Sequence, residues 1–488
     1  MSRKVGFVFS VLLVLALVLG GCAPQPTPTP VPKATAAPTA APTAAPTKAP
    51  TAAPTAAPTK APTAAPTAAP TKAPATDTSK ILGQKVTITF WHPQAPEDFR
   101  GKLLNQIIQD FMAQYPEITV EATYQGSYTD LYKKLVAAIA AGTPPDCAVS
   151  YPSMISDYKK ANAVVELDPY INDPQIGLTQ EDLKDFFPGF LAECRFPQYG
   201  NKYYAFPFTK SALGMWYNLD LIKAAGFSAP PKTWAEFEEQ CKAIAAKTGK
   251  KAYAYRDDAS TIDGWFFSRG VDQLNADQTQ AVFNQPQAVE ALAMLVRLFE
   301  AGAAYKPEGS YADQAEFGKG NCAFNFGSTS GTYYYAKAIK DSGDNVKEWG
   351  QTNIPQLDPK NPKTVLYGGS FCIFKTTDVK QKAAWLFLKF FTSTEQTAKW
   401  GSQSGYMPVR ASAAALLKDY FAQNPIAKAQ FEEIIPYGQP EPSVGGEQEI
   451  RDILVEAVNA ALEGIKTPQQ ALDDAVKKAN EALARARQ

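Results

Sequence analysis

The chain has 488 residues, with 48 basic and 48 acidic side chains, one histidine and six cysteines, and 45% of it is hydrophobic. The neutral total hides an asymmetry: residues 22–80 carry five lysines against one acid, whereas residues 81–488 carry 41 basic and 47 acidic side chains. A mildly acidic body argues against a nucleic-acid partner, and a body of about 400 residues exceeds one ordinary core, so two lobes are expected.

Arg3 and Lys4 precede Val5–Leu19, an almost wholly apolar run closed by Gly20 and Gly21. A positive start, a short apolar core and small residues predict a signal peptide over residues 1–21. The run is short of the roughly 20 residues that span a bilayer. Leu19-Gly20-Gly21-Cys22 resembles the bacterial lipobox, which implies cleavage before Cys22 and a lipid on its thiol. Such a lipid holds a protein at a membrane surface without a span. Residues 22–80 contain 15 of the 39 prolines, with TAAP and TKAP repeating from Ala34 to Pro74. Proline at that density forbids helix and sheet, and nothing apolar is present to build a core. The segment is predicted to be a disordered, extended tether, reaching well over about 100 Å at roughly 3 Å per residue. The module that follows is therefore expected on the outer face of the cell, lipid-anchored on the periplasmic side of the cytoplasmic membrane or at the cell surface.

In the body, KVTITFW (85–91) alternates and is β-branched, as a strand is. Arg100 to Tyr115 has apolar residues at helical spacing and is stopped by Pro116. ITVEATY (118–124) reads as a strand, Tyr128 to Ala141 as a helix and DCAVSY (146–151) as a short strand. Strand, helix, strand, helix, strand is the order of a parallel sheet covered by helices. Ligands of such sheets sit at the carboxyl ends of the strands, so the loops after Trp91, Tyr124 and Tyr151 are candidate sites. Farther on, LGMWYN (213–218) is strand-like, and 233–249 and 287–302 are helical. Residues 317–331 lead from a strand into a Gly/Ser turn, and KTVLYGGSFCIF (363–374) is a β run broken by Gly368-Gly369. Ile450 to Arg487 is helical with a break at Thr467-Pro468.

Most bond-making chemistry lacks its residues. A Ser-His-Asp hydrolase would have to use His92, and no GxSxG is present. No closely spaced His/Cys set suits a metal, and no glycine-rich phosphate loop appears, so no metal and no cofactor are expected. Asp257-Asp258 and Asp473-Asp474 are the nearest approach to a paired-carboxylate site, the second on a charged helix face. Cysteines 147, 194, 241, 322 and 372 cannot all pair, and most read as small buried hydrophobes. The aromatics are more suggestive. Trp91, Tyr128, Trp216, Trp234, Trp265, Tyr334, Tyr367 and Tyr406 are scattered, many near Gly or Ser turns. Aromatic faces suit the C–H faces of sugars and polyols, and Ser328, Ser330 and Gly331 supply hydroxyl and backbone donors.

Nine stretches occur in order over about 400 residues: TFWH (89–92), YQGSY (124–128), PF before Ser211, YNLDLIKAAGF (217–227), PPKTW (230–234), GNCAF (320–324), YGGSF (367–371), SGYMPV (404–409) and KTPQQALDDAVKKANEALAR (466–485). In these the body resembles the extracellular solute-binding proteins (family 1) of ABC importers, and among them the glycerol-3-phosphate binders. The resemblance implies an α/β, two-lobed, periplasmic-binding-protein-like fold (class II type) with its ligand in the interlobe cleft. It implies a first lobe from residues 81–209 and 366–408, a second from 210–365, and C-terminal helices, 409–488, packing mainly on the second. The chain is expected to cross between lobes near Phe206–Ser211, Leu366–Phe371 and Met407–Ser412. Carried over residue by residue, the ligand contacts are Tyr128, Ser211, Trp234, Ser328, Gly369, Tyr406 and Arg451. Arg451 would fork onto phosphate oxygens. Ser211, Ser328, the Gly369 N–H and the two tyrosine hydroxyls would add hydrogen bonds, and Trp234 would cover a carbon chain. No catalysis is implied: the receptor would capture glycerol 3-phosphate or a related glycerophosphodiester and hand it to ABC permease subunits. The family's glutamate after the third strand is replaced here by Pro152 and Ser153, and the serine pair before the second lobe by Lys210-Ser211, so Lys210 would add positive charge. These departures keep a neutral di- or oligosaccharide open as ligand. A secreted carbohydrate-active hydrolase would need two carboxylates across the cleft, and an adhesion module a flat apolar patch.

Overall fold

A computed structural model describes residues 76, 78–309 and 311–487. The signal-peptide segment, Cys22 and nearly all of the expected tether lie outside the described residues. The tether was expected to run to Lys80, but the chain is tied to the body before that. Thr76 donates its N–H to the Gln114 carbonyl (2.7 Å), and the Thr78 hydroxyl donates to Glu117 (2.6 Å). Thr78 and Leu82 are buried.

Ten strands form one mixed sheet: β1 (Val86–His92), β2 (Ile118–Tyr124), β3 (Cys147–Ser150), β4 (Phe206–Asn218), β5 (Tyr253–Ala254), β6 (Ala304–Tyr305), β7 (Phe324–Ser328), β8 (Trp349–Thr352), β9 (Thr364–Ile373) and β10 (Gly438–Gln439). The order is β2-β1-β3-β9-β4-β7-β5-β6, with β8 added to β4 and β10 to β9. β1 lies parallel to β2, from Val86 opposite Ile118 to His92 opposite Tyr124. The helix Phe99–Gln114 between them turns Leu103, Leu104, Ile107, Ile108 and Phe111 inward, and Asp98 caps its start by accepting the Arg100 N–H. β4 and β9 run antiparallel, and their register shifts between Gly369 and Ser370.

Two large cores hang on this sheet, with a small third cluster around Trp216, Phe317 and Tyr335. The first takes Ile88, Phe90, Phe111, Val149, Phe206, Phe208, Phe371, Phe387 and their neighbours. The second takes Leu213, Met215, Phe237, Trp265, Phe326, Leu454 and Leu483 among others. Along β4 the change of core falls between Ala212 and Leu213; along β9, Val365 belongs to the second core and Leu366 to the first. These two strands carry the architecture from lobe to lobe. The third crossing was expected near Met407–Ser412, and it lies later. Leu417, Phe421, Phe431 and Ile435 still bury on the first core, where the Phe187 and Phe431 rings stand 5.5 Å apart, and Val444 is the first residue on the second. Helices 447–462 and 468–487 pack on the second core.

Behind the two crossing strands sits a buried ion pair. Lys210 was expected to add charge to the ligand site; instead its ammonium points away, to Glu193 and the Ser370 hydroxyl (2.7 Å). Ser443 donates to the Glu193 carbonyl (2.6 Å), and the Met407 N–H to the Lys210 carbonyl (2.8 Å). All three passages between lobes are thus tied to one point. His92 ends β1 inside the first core, with Nδ1 accepting the Gln94 N–H at 3.2 Å. Burial pushes its imidazole down to about 4. Cysteines 147, 194, 241, 322 and 372 are all buried and unpaired.

Candidate functional site

A cavity of about 510 Å³ opens between the lobes. Its size is that of a site for one small ligand. The first lobe contributes Arg100, Tyr128, Tyr151 and Tyr406; the second contributes Arg256, Asp258, Ser260, Tyr311, Ser328, Tyr334 and Arg451; the crossing strands contribute Ser211 and Tyr367.

Local rules aim these side chains. Ser127 and Asp130 form a reciprocal capping box that places Tyr128 at the first position of helix 128–140. The Tyr128 hydroxyl meets the Thr209 hydroxyl at 3.2 Å, and its ring stacks on Tyr151 with centroids 4.4 Å apart. Burial, with Tyr406 and Tyr151 nearby, pushes the Tyr128 hydroxyl well up, so it stays a neutral donor. Gly369 lies beneath it. A Cβ there would come 2.6 Å from the Tyr128 hydroxyl and 2.3 Å from a Val149 methyl, so only glycine permits this approach. Ser211 donates to the Tyr367 carbonyl (3.1 Å), and the Ser328 and Ser330 hydroxyls meet at 2.8 Å.

Five of the seven expected contacts therefore line the cavity: Tyr128, Ser211, Ser328, Tyr406 and Arg451. Gly369 supports it from behind. Trp234 does not reach it. Its indole donates to Ser268 (3.1 Å), lies 4.8 Å from the Trp265 ring and is covered by the Arg269 guanidinium at 3.6 Å. The capping box of Thr233 and Glu236 fixes Trp234 at a helix start that faces the second core, where a large ring gains more by burial than at a wet cleft.

Arg451 is in place but already engaged. Nη1 pairs with Glu441 and stands 3.8 Å from Asp263; Nη2 donates to the Ser260 hydroxyl at 3.0 Å. Burial would lower its pKa, but Glu441 and Asp263 outweigh burial and raise it. Burial pushes the Asp263 and Glu447 carboxyls well up, with Glu441 adding to the rise at Asp263 and Asp263 to that at Glu447.

Two cavity arginines escaped the sequence reading. Arg100 shares the helix face of Leu103, Leu104 and Ile107, and a charge on an apolar stripe was the signal available. Its Nε donates to the Ser404 carbonyl (2.9 Å) and Nη2 to the Ser330 carbonyl (2.6 Å), the second across the lobes. The guanidinium lies 4.6 Å from the Tyr406 ring and 5.0 Å from that of Tyr334. No carboxylate lies within ion-pair distance of it among the described residues. Arg256 follows β5 at its carboxyl end and pairs with Asp258 (3.3 Å), which caps helix 259–267. Asp258 is the one carboxylate among the lining residues, while its neighbour Asp257 binds Lys306 and Asn459 outside the cavity. The paired-carboxylate reading thus has no pair across the cleft. Among the described residues, no group of three or more His, Cys, Asp or Glu is placed to hold a metal, and no helix is long and apolar enough to cross a membrane.

Residues 106–429 match the family model for bacterial extracellular solute-binding proteins. The sn-glycerol-3-phosphate-binding periplasmic protein UgpB of Escherichia coli is 26% identical over 425 residues, 82% of this chain and 93% of that protein. In fold, the chain is similar to the sugar-binding protein MalE of Xanthomonas citri, with TM-score 0.70 and 21% identity over 82% of this chain and 98% of that one. It is also similar to UgpB of Mycobacterium tuberculosis, solved in complex with glycerophosphocholine, with TM-score 0.69 and 20% identity over 82% of this chain and 99% of that one.

Proposed function

The chain belongs to the bacterial extracellular solute-binding proteins, and from that premise we propose that its ligand is a small phosphorylated polyol, glycerol 3-phosphate or a glycerophosphodiester. Proteins of this kind bind a solute outside the cytoplasm and deliver it to an ABC permease; they do not transform it. The observation that carries the ligand reading is the convergence of Arg100, Arg256 and Arg451 on one cavity whose lining holds a single carboxylate, Asp258. Guanidinium groups match phosphate oxygens in geometry and charge. The tyrosines and serines supply donors for polyol hydroxyls and faces for the carbon chain. The similarity to glycerol-3-phosphate binders supports the same assignment.

Binding is coupled to closure, because only the closed form brings Tyr128 and Tyr406 of one lobe and Ser328 and Arg451 of the other to one ligand. The lobe assignment, the contacts Tyr128, Ser211, Ser328, Tyr406 and Arg451 with Gly369 beneath them, and the lipid anchor at Cys22 all belong to this proposal. The tether would let the receptor search for its permease while it stays at the membrane.

A neutral oligosaccharide is the second reading. The six tyrosines around the cavity favour it: Tyr128, Tyr151, Tyr311, Tyr334, Tyr367 and Tyr406. Calorimetric titration of the protein with glycerol 3-phosphate, a glycerophosphodiester and maltose decides between them. Binding of a phosphate ligand, weakened at least about tenfold by Arg451→Ala, supports the proposal. Binding of maltose alone replaces it with the second reading.

A further inference from the structure

Arg451 reaches the cavity wall with an acid immediately behind it. Glu441 accepts from Arg451 Nη1 and, at 2.9 Å, from the Ser260 hydroxyl, which itself accepts from Arg451 Nη2 at 3.0 Å. The three side chains close a ring. Glu441 belongs to the segment between Ile435 of the first core and Val444 of the second. Its neighbours Pro440 and Pro442 fix the backbone on both sides. The arginine and Glu441 side chains are each only 15% exposed, so their pairing is weakly screened.

The charges around the cavity can be followed one by one. Arg256 is opposed by Asp258 at 3.3 Å. Arg451 is opposed by Glu441 and stands 3.8 Å from Asp263, and burial pushes the carboxyls of Asp263 and Glu447 well up. Arg100 alone is held by carbonyl oxygens and aromatic faces, one of them that of Tyr334, whose hydroxyl donates to Asp98 at 3.2 Å. Arg100 is thus the one lining arginine with no ion-pair partner among the described residues, while Arg256 and Arg451 each have one. A phosphodiester carries one negative charge. A phosphomonoester carries close to two at neutral pH, and its second charge would meet Glu441 through Arg451 in a poorly solvated site.

We propose that Glu441 is a positioning residue that sets the charge preference of the cleft: by occupying Arg451 it favours a monoanionic phosphodiester over a dianionic phosphomonoester. This rests on the phosphate reading above. The residue acts through Arg451 and Ser260.

The test compares glycerol 3-phosphate with its methyl ester, two ligands that differ by one methyl group and one charge, by calorimetry on the full chain. The wild-type protein is expected to bind the methyl ester about tenfold more tightly. In Glu441→Gln the ratio of the two dissociation constants should move at least about tenfold toward glycerol 3-phosphate, and Glu441→Asp should keep the wild-type ratio. A merely structural role would weaken both ligands in parallel, and an unchanged ratio in Glu441→Gln overturns the proposal while the phosphate reading stands. Tighter binding of glycerol 3-phosphate than of its methyl ester by the wild type overturns it too, whether or not the variant folds. If the wild type binds neither ligand, the phosphate reading fails and the role of Glu441 fails with it.

Discussion

The two walls of the cleft hold positive charge by opposite means. On the first lobe, Arg100 is fixed by the carbonyls of Ser404 and Ser330 and by the rings of Tyr406 and Tyr334. On the second, Arg256 and Arg451 are each matched to a carboxylate. A guanidinium balanced by dipoles keeps its full charge for an incoming anion. One paired with a carboxylate offers hydrogen-bond geometry but little net field. The first wall thus supplies attraction and the second supplies orientation. Burial shifts ionisable groups in both lobes: it pushes the His92 imidazole down in the first and the Asp263 and Glu447 carboxyls up in the second.

The largest expected effect concerns stability alone. Trp234→Ala should cost about 3–5 kcal/mol in denaturant unfolding while ligand affinity changes less than about threefold, because the ring fills the second core. A large loss of affinity at unchanged stability would return Trp234 to the second wall. Next comes acid. His92 titrates near 6.5 when unfolded and near about 4 when folded, so the unfolded chain takes up the proton first. Stability is therefore full above pH 6.5 and falls as pH drops toward 4, by roughly 3 kcal/mol from this group. His92→Gln should flatten that part of the pH–stability curve; an unaltered slope would remove the histidine from the account. The buried carboxyls of the second lobe act with the opposite sign, since raised carboxyl pKa values favour the folded state as pH falls. Arg100→Ala should weaken a phosphate ligand about a hundredfold, more than Arg256→Ala does. Equal losses, read by calorimetry, would erase the difference between the walls. Tyr128→Phe removes one hydroxyl and should cost about fivefold in affinity, roughly 1 kcal/mol.

Much of this was legible from residue order. The β-branched alternation of 85–91, the apolar spacing of 100–115 and the stop at Pro116 place β1 and the helix after it within a residue or two. Gly368-Gly369 marked an irregular strand, and the register between β4 and β9 does shift beside it. The failures have one physical origin: spacing reports which residues are special but not which way they face. Lys210 and Ser211 are adjacent on a strand, so their side chains point to opposite faces, and only the serine meets the cavity. Trp234 stands at a helix start exactly as capped as Tyr128, yet the packing behind it turns it inward. The Glu441–Arg451 pair is ten residues apart across a turn between cores, a contact that no local pattern encodes.

Thr76 and Thr78 tie the start of the described chain to the end of helix 99–114 and to Glu117, and Leu82 then enters the first core. The long proline-rich segment precedes this point in the chain. A mechanical load applied at Thr76 would be delivered to the edge of the first lobe, through Gln114 and Glu117. The second lobe is joined to that edge by the chain through the three crossing passages and by contacts such as that of Arg100 with the Ser330 carbonyl. A force applied to the chain at Thr76 would therefore act first on the first lobe, and would reach the second through the crossing segments and the contacts between the lobes.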